Sequence, residues 1–286
     1  MKNSPVIIMG MHRSGTTLIA GMLQKMGIFL GKKLDVNQES TYFQKINKWL
    51  LSLAGAAWDN PDTFDLVLKN EILLNDIHDR LNRCFTGVYA FGYFGLMAAV
   101  RKASMMSITI PWGWKDPRNT FTLPIFTTHF PDAKIIHVYR HGVDVAQSLK
   151  TREDRILTTG MNRNLQNFKQ MIAISIPVIR GGILSSVICQ DRQNAFDLWV
   201  KYMSRAKEHE IRYSGQIMSV RYESLLENPI DGVEDIRRFI RIPLADRTRL
   251  DIHSSINNNR AYAYQNNPEL LQFAEDNSDA LRRFGY

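Results

Sequence analysis

Cysteine is nearly absent: Cys84 and Cys189 are the only two in the chain. They build neither a disulfide framework nor a zinc-ligand spacing, which excludes the small stapled folds and predicts a reducing, cytoplasmic setting. Seven histidines are scattered, with no H-E-x-x-H run, so no metal centre is predicted. A G-x-S-x-G nucleophile elbow is missing as well. No apolar run is long and clean enough to cross a membrane. Met171–Ile188 comes nearest, and Pro177, Arg180, Gly181 and Gly182 interrupt it. The first apolar run already feeds a loop, so no leader is predicted. Repeats, low-complexity segments and composition shifts are lacking, which predicts one domain over residues 1–286.

What is present is ordinary in amount and specific in arrangement. Hydrophobic residues make up 44% and charged residues 22%, enough for a sizeable core. The net charge of +8 suits an anionic ligand, nucleic acid or a membrane surface. The basic residues form no dense run, which argues against a nucleic-acid arm.

Pro5–Gly27 organises the rest. Val6–Met9 is a short apolar run of the kind that forms a buried parallel strand. Gly10 to Gly15 form a turn. Leu18, Ile19, Met22, Leu23 and Met26 recur at helical spacing before Gly27. Strand, glycine-bounded loop and helix make a phosphate cradle, in which loop amides and a helix N-terminus point at one anion. A triphosphate loop reads G-x-x-x-x-G-K-[ST]. In Gly10-Met11-His12-Arg13-Ser14-Gly15-Thr16-Thr17 both glycines and the last hydroxyl remain, Thr16 holds the lysine position, and the cation has moved to Arg13. The loop wants a phosphate-like anion but lacks the lysine that spans the β- and γ-phosphates.

Further along, periodicity predicts helices from about Glu39, over Asp62–Phe85, over Phe121–Phe130, after Gly142, over Asp191–Tyr213 and over Val233–Ile240. Strands are predicted at Ile108–Lys115, Ala133–Tyr139 and Ile217–Val220. The tail beyond Arg247 reads as polar. Glu153–Gln190 lacks clear periodicity and reads as a substrate-side insert. Strands alternating with helices predict an α/β fold with a mainly parallel sheet flanked by helices. Ligands of such sheets bind outside the carboxyl ends of the strands, where Arg13, Lys115, Arg140 and Tyr222 fall.

The Gly10–Thr17 loop resembles that of the sulfotransferases that use 3′-phosphoadenosine-5′-phosphosulfate (PAPS), G-x-x-[RK]-S-G-T-[TS] after a strand. Two later stretches also resemble the family. Arg140 ends a strand and Ser148 lies about two turns along the next helix, as in the family's 3′-phosphate motif. Arg221-Tyr222-Glu223-Ser224-Leu225-Leu226-Glu227-Asn228-Pro229 is similar to the stretch that packs near the adenine. The resemblance implies a P-loop type sulfotransferase fold of the bacterial type. It implies transfer of a sulfuryl group from PAPS to a hydroxyl or amine, with release of adenosine 3′,5′-bisphosphate and no metal. His12, Arg13, Ser14, Gly15, Thr16 and Thr17 then bind the 5′-phosphosulfate, Arg140 and Ser148 the 3′-phosphate, and Tyr222 the base. Arg13 acts on the transferring group, and Lys115 faces that group or an acidic acceptor. Glu39 is the implied general base, with His12 and Asp35 in reserve. A small-molecule or carbohydrate acceptor is expected, with glycan, lipid, peptide and small phenol or alcohol all open; no nucleic-acid partner is expected, and the oligomeric state is left open.

Plainer readings stand beside these. Arg140 can pair with Asp144, Tyr222 can fill core, Lys115 or Arg118 can pair with Asp116, and Glu39 can be an ordinary carboxylate at a helix start. At the level of function, the rivals are a P-loop kinase-like phosphotransferase, a non-catalytic nucleotide-binding or partner-binding module, and a nucleic-acid binder favoured only by net charge.

Overall fold

The computed structural model describes residues 4–95, 104–164, 186–243, 252 and 261–286. The chain divides into two compact units: Met1–Arg140 with Tyr202–Ala261, and His141–Lys201 with Tyr262–Tyr286.

Among the described residues, the first unit holds four parallel strands, β1 (Val6–Gly10), β2 (Gly113–Lys115), β3 (Lys134–Tyr139) and β4 (Ile217–Arg221), in the order β2-β1-β3-β4. All five residues of β1 are buried, as expected of a central parallel strand covered on both faces. Alternation assigns the two faces. Val6, Ile8, Ile136, Val138 and Val220 meet Ile19, Leu23, Leu225 and Ile236 from α1 (Thr16–Lys25), α9 (Tyr222–Glu227) and α10 (Pro229–Ile240) in one apolar cluster.

An aromatic cluster lies among the helices that follow. Phe43 of α2 (Thr41–Ser52) stacks on Trp114 of β2 at 3.8 Å between ring centroids, and Phe126 of α6 (Asn119–His129) meets both rings edge-on. Such pairs add about 0.5–1.5 kcal/mol beyond their buried area.

A buried polar network ties α2 and α6 to the strands. Asn119 donates to the Ile8 carbonyl and accepts from Asn47 and from the Trp114 indole. Gly10 N donates to Thr120 Oγ1 at 3.1 Å, which fixes the end of β1 where the loop begins.

In the second unit, α7 (Gly142–Asn164), the helix predicted after Gly142, buries Val145, Ala146 and Leu149. The Asp144 carboxylate accepts the amides of Ala263 and Tyr264. The unit also contains the start of α8 (Arg192–Arg212) and the helices Pro268–Asp276 and Ser278–Arg283.

Several element predictions need correction. The helix over Asp62–Phe85 is two, α3 (Phe64–Leu68) and α4 (Glu71–Phe85), because the Asn70 side chain accepts the Leu73 amide and starts a new helix. The strand at Ile108–Lys115 shrinks to β2, since Pro111 has no N–H to give a ladder. The helix read from Glu39 starts at Thr41, and the one read from Val233 starts at Pro229, a residue suited to a first turn. Among the described residues, the polar tail carries the helices Pro268–Asp276 and Ser278–Arg283, each too short to show a strong period. Residues 87–95, where periodicity predicts no element, include α5 (Phe91–Phe94). Of the insert, α7 covers the residues to Asn164; residues 165–185 lie outside the described residues. Among the described residues, no helix is long and apolar enough to cross a membrane.

Candidate active site

The loop after β1 is built on backbone that few residues tolerate. Gly10 has φ +139°, and a Cβ there would stand 2.1 Å from the Val138 carbonyl oxygen. Gly15 has φ +95°, and a Cβ there would stand 2.2 Å from Tyr222 Cδ2. Arg13 takes φ 72°, an unusual conformation for a side-chain-bearing residue. Left-handed turns at Arg13 and Gly15 bend the chain and deliver it into α1.

The α1 N-terminus suits an anion on three counts. Its first amides have no intrahelical acceptor, Gly15 supplies no side-chain cap, and the first turn contains no acid. Ser14 is buried and donates to the Met11 carbonyl, so its hydroxyl shapes the loop. Arg13 and Thr17 are exposed at the loop surface, Thr16 is buried, and His12 meets Trp58 edge-on at 4.6 Å. This donor set fits a phosphate or phosphosulfate group.

Tyr222 opens α9 directly after β4 and is buried. Its ring closes against Gly15, and Arg140 Cζ lies 5.0 Å from its centroid. The first loop, the end of β3 and the start of α9 therefore meet at one tyrosine. Ser148 lies on α7, half-buried, in the second unit.

A second cluster forms at the end of β2. Lys115 Nζ donates to Glu39 Oε1 at 2.8 Å and to the Asn37 carbonyl at 3.1 Å. Arg118 holds Asp116 through two bonds of 2.8 Å and reaches Glu39 Oε2 at 3.6 Å. All four charged side chains are nearly sealed from solvent. The predicted pairing of Arg118 with Asp116 is present, whereas Lys115 turns to Glu39.

Burial pushes the Glu39 carboxyl above its ordinary value, and Asp116 adds to this; Lys115 and Gln44 pull the other way. Burial also works against the Arg118 charge, but Asp116 and Glu39 outweigh it and raise its pKa.

Glu39 sits on a five-residue loop that Asp35 organises. Asp35 Oδ1 accepts the amides of Asn37 and Glu39 at 2.9 and 2.8 Å, and Asp35 N donates to the Glu39 carbonyl. Gln38 takes φ 64° at the apex. The Asn37 carbonyl also accepts from Thr17 Oγ1 at 3.2 Å. One carbonyl thus ties the anion loop, the Glu39 loop and Lys115 together.

Three contributors are missing from the sequence reading: Gln44, whose amide bridges Asp35 and Glu39, Trp58 beside His12, and Asn37, which acts through its backbone. Gln44 shows no signal because its helix position, next to buried Phe43, also suits a solvent-facing residue. A carbonyl leaves no mark on residue type.

A family model described as "Sulfotransferase family" matches residues 5–246. No curated protein matches the chain. Among solved structures, the sulfotransferase domain from the Synechococcus PCC 7002 olefin synthase is similar. It has 17% identity and a TM-score of 0.53, over 100% of this chain and 96% of that one. The sulfotransferase domain from the curacin biosynthetic pathway has 13% identity and a TM-score of 0.50, over 97% and 98%. Sulfotransferase STF1 from Mycobacterium tuberculosis H37Rv has 15% identity and a TM-score of 0.49, over 90% and 72%. At these identities the first two likenesses concern the fold alone.

Proposed function

The chain belongs to the sulfotransferase family, and from that premise we propose that it transfers a sulfuryl group from PAPS to a hydroxyl or amine on a small molecule or carbohydrate. The product nucleotide is adenosine 3′,5′-bisphosphate. Residues 1–286 are read as the domain that does this. The observation that carries the proposal is the pairing of two sites at the strand ends: an uncapped helix N-terminus behind Arg13, and a buried carboxylate on Glu39 held by Lys115.

When bound, the donor supplies an activated sulfuryl group on a phosphate leaving group. The loop amides of His12, Arg13, Gly15, Thr16 and Thr17 and the Arg13 guanidinium hold that phosphate and stabilise the charge that grows on its bridging oxygen, while the Ser14 amide donates to the Met11 carbonyl and shapes the loop. Thr16 adds a hydroxyl donor, while Thr17, whose hydroxyl donates to the Asn37 carbonyl, contributes its amide. Arg140 and Ser148 are assigned to the 3′-phosphate, and Tyr222, beside Arg140, to the base. Glu39 takes the acceptor proton as sulfur approaches, and its burial supports that role because a weaker acid makes a stronger base. Lys115 keeps the carboxylate ionised and in place, and the proton leaves the acceptor for a Glu39 oxygen.

Calorimetry tests the assignment. Adenosine 3′,5′-bisphosphate binds in EDTA and more tightly than ATP with Mg²⁺. Preference for ATP–Mg²⁺ would transfer the case to a kinase-like phosphotransferase. Binding of the bisphosphate without turnover of PAPS by any acceptor would leave a non-catalytic module.

A further inference from the structure

Gln44 lies on the first turns of α2, half-buried. Its Nε2 donates to Glu39 Oε2 at 2.7 Å and to Asp35 Oδ2 at 2.8 Å. An amide nitrogen has two hydrogens, and this one spends both on two different carboxylates. Glu39 is therefore gripped from both sides, Oε1 by Lys115 from β2 and Oε2 by Gln44 from α2. The backbone under it is held separately by Asp35 Oδ1. We propose that Gln44 is a positioning residue that fixes the Glu39 carboxylate for proton removal from the acceptor and keeps Asp35 from turning its charge on it.

The proposal rests on the reading of Glu39 as the base. The charged groups facing that carboxylate are Lys115, Arg118 and Asp116 from β2 and the segment after it. The Asp35 carboxylate, on Glu39's own loop, shares the Gln44 amide. Gln44 is the neutral member that lets two like charges share one partner. An N–H bonded to an ionised carboxylate favours the ionised form. Without it, Glu39 holds its proton to higher pH and is freer to rotate.

The test compares wild type with Gln44→Met, which keeps the length of the side chain and removes the donor. The acid limb of kcat against pH moves to higher pH in the variant. Turnover at the acid end falls about tenfold while the plateau at high pH is nearly kept. Bisphosphate affinity is unchanged, because Gln44 lies outside the anion loop. A second readout is independent of turnover: the ¹³C titration of the Glu39 carboxyl moves to higher pH in the variant. Gln44→Glu, which puts a third carboxylate beside the pair, moves both measures further the same way.

A uniform loss of kcat at all pH values with an unmoved Glu39 titration would overturn the proposal, as would a variant indistinguishable from wild type. If wild-type protein transfers no sulfuryl group, the proposed function fails, and the carboxyl titration still judges the positioning claim. If wild type is active and the titration moves while the acid limb does not, Glu39 is not the base and the positioning role in catalysis is lost.

Discussion

Lys115 Nζ stands 2.8 Å from Glu39 Oε1, and both side chains are almost sealed from solvent although 76 positions separate them in sequence. Removing one partner of a buried pair leaves an uncompensated charge and typically costs about 3–5 kcal/mol. Lys115 also donates to the Asn37 carbonyl, which accepts from Thr17 as well, so one carbonyl joins the pair to the loop after β1.

Glu39→Gln keeps a hydrogen-bond acceptor for Lys115 and loses the ability to take a proton. The expected result is a kcat lower by about 10²-fold or more, with bisphosphate affinity retained. Steady-state kinetics and calorimetry on the same preparation check it. Normal turnover would place the base elsewhere, and His12→Asn and Asp35→Asn become the next variants.

Arg140→Ala removes the guanidinium assigned to the 3′-phosphate. Binding of adenosine 3′,5′-bisphosphate should weaken by roughly 2–5 kcal/mol, as for a desolvated charge pair. Adenosine 5′-phosphate, which lacks the 3′-group, should bind nearly as it does to wild type. Equal losses for the two nucleotides would assign Arg140 to structure through Tyr222.

Gly15→Ala meets two penalties at one atom, the left-handed φ of 95° and the Tyr222 ring at 2.2 Å. A left-handed alanine alone costs about 1–2 kcal/mol. Denaturant melts should show at least that loss, with bisphosphate affinity lowered. Adding Tyr222→Leu should recover part of the stability, so that the two changes are not additive. A Gly15→Ala protein as stable as wild type would contradict the close approach of ring and loop.

His209 gives the fold a predictable acid sensitivity. It is buried, its Nε2–H donates to the Thr120 carbonyl at 2.8 Å, and burial lowers its pKa to about 4. Its folded value lies below the unfolded value of 6.5. As pH falls through 6.5, the unfolded chain takes up the proton first, and stability is lost until about pH 4. The loss for this one group is on the order of 3 kcal/mol. His209→Gln keeps a donor without a titration, and its urea midpoint should fall less than that of wild type between pH 6.5 and 4. Parallel curves for the two proteins would remove His209 from the account.

Legibility in the sequence followed physical dominance. The β1–loop–α1 unit was readable because an apolar run, two glycines and helical spacing coincide within residues 5–27. The helix after Gly142 was readable for the same reason, since Val145, Ala146 and Leu149 recur at helical spacing. Asn47 and Asn119 were not, because a polar residue on a helix reads as solvent-facing until its partners at Ile8, Trp114 and Thr122 are known. The break between α3 and α4 hid inside a continuous helical pattern, where the Asn70 cap is a single-residue signal. Within the candidate site, residue types with charge or an obligatory backbone stood out, namely Arg13, Gly15, Lys115 and Glu39. Gln44 and the Asn37 carbonyl did not, because their roles depend only on where the chain brings them.

The most direct measurement follows ³⁵S from labelled PAPS in the presence of EDTA and a panel of hydroxyl and amine acceptors. The account predicts label on an acceptor, an equal amount of adenosine 3′,5′-bisphosphate, and loss of both with Glu39→Gln. Label remaining on PAPS with every acceptor, while the protein binds ATP with Mg²⁺ in preference to the bisphosphate, would contradict it.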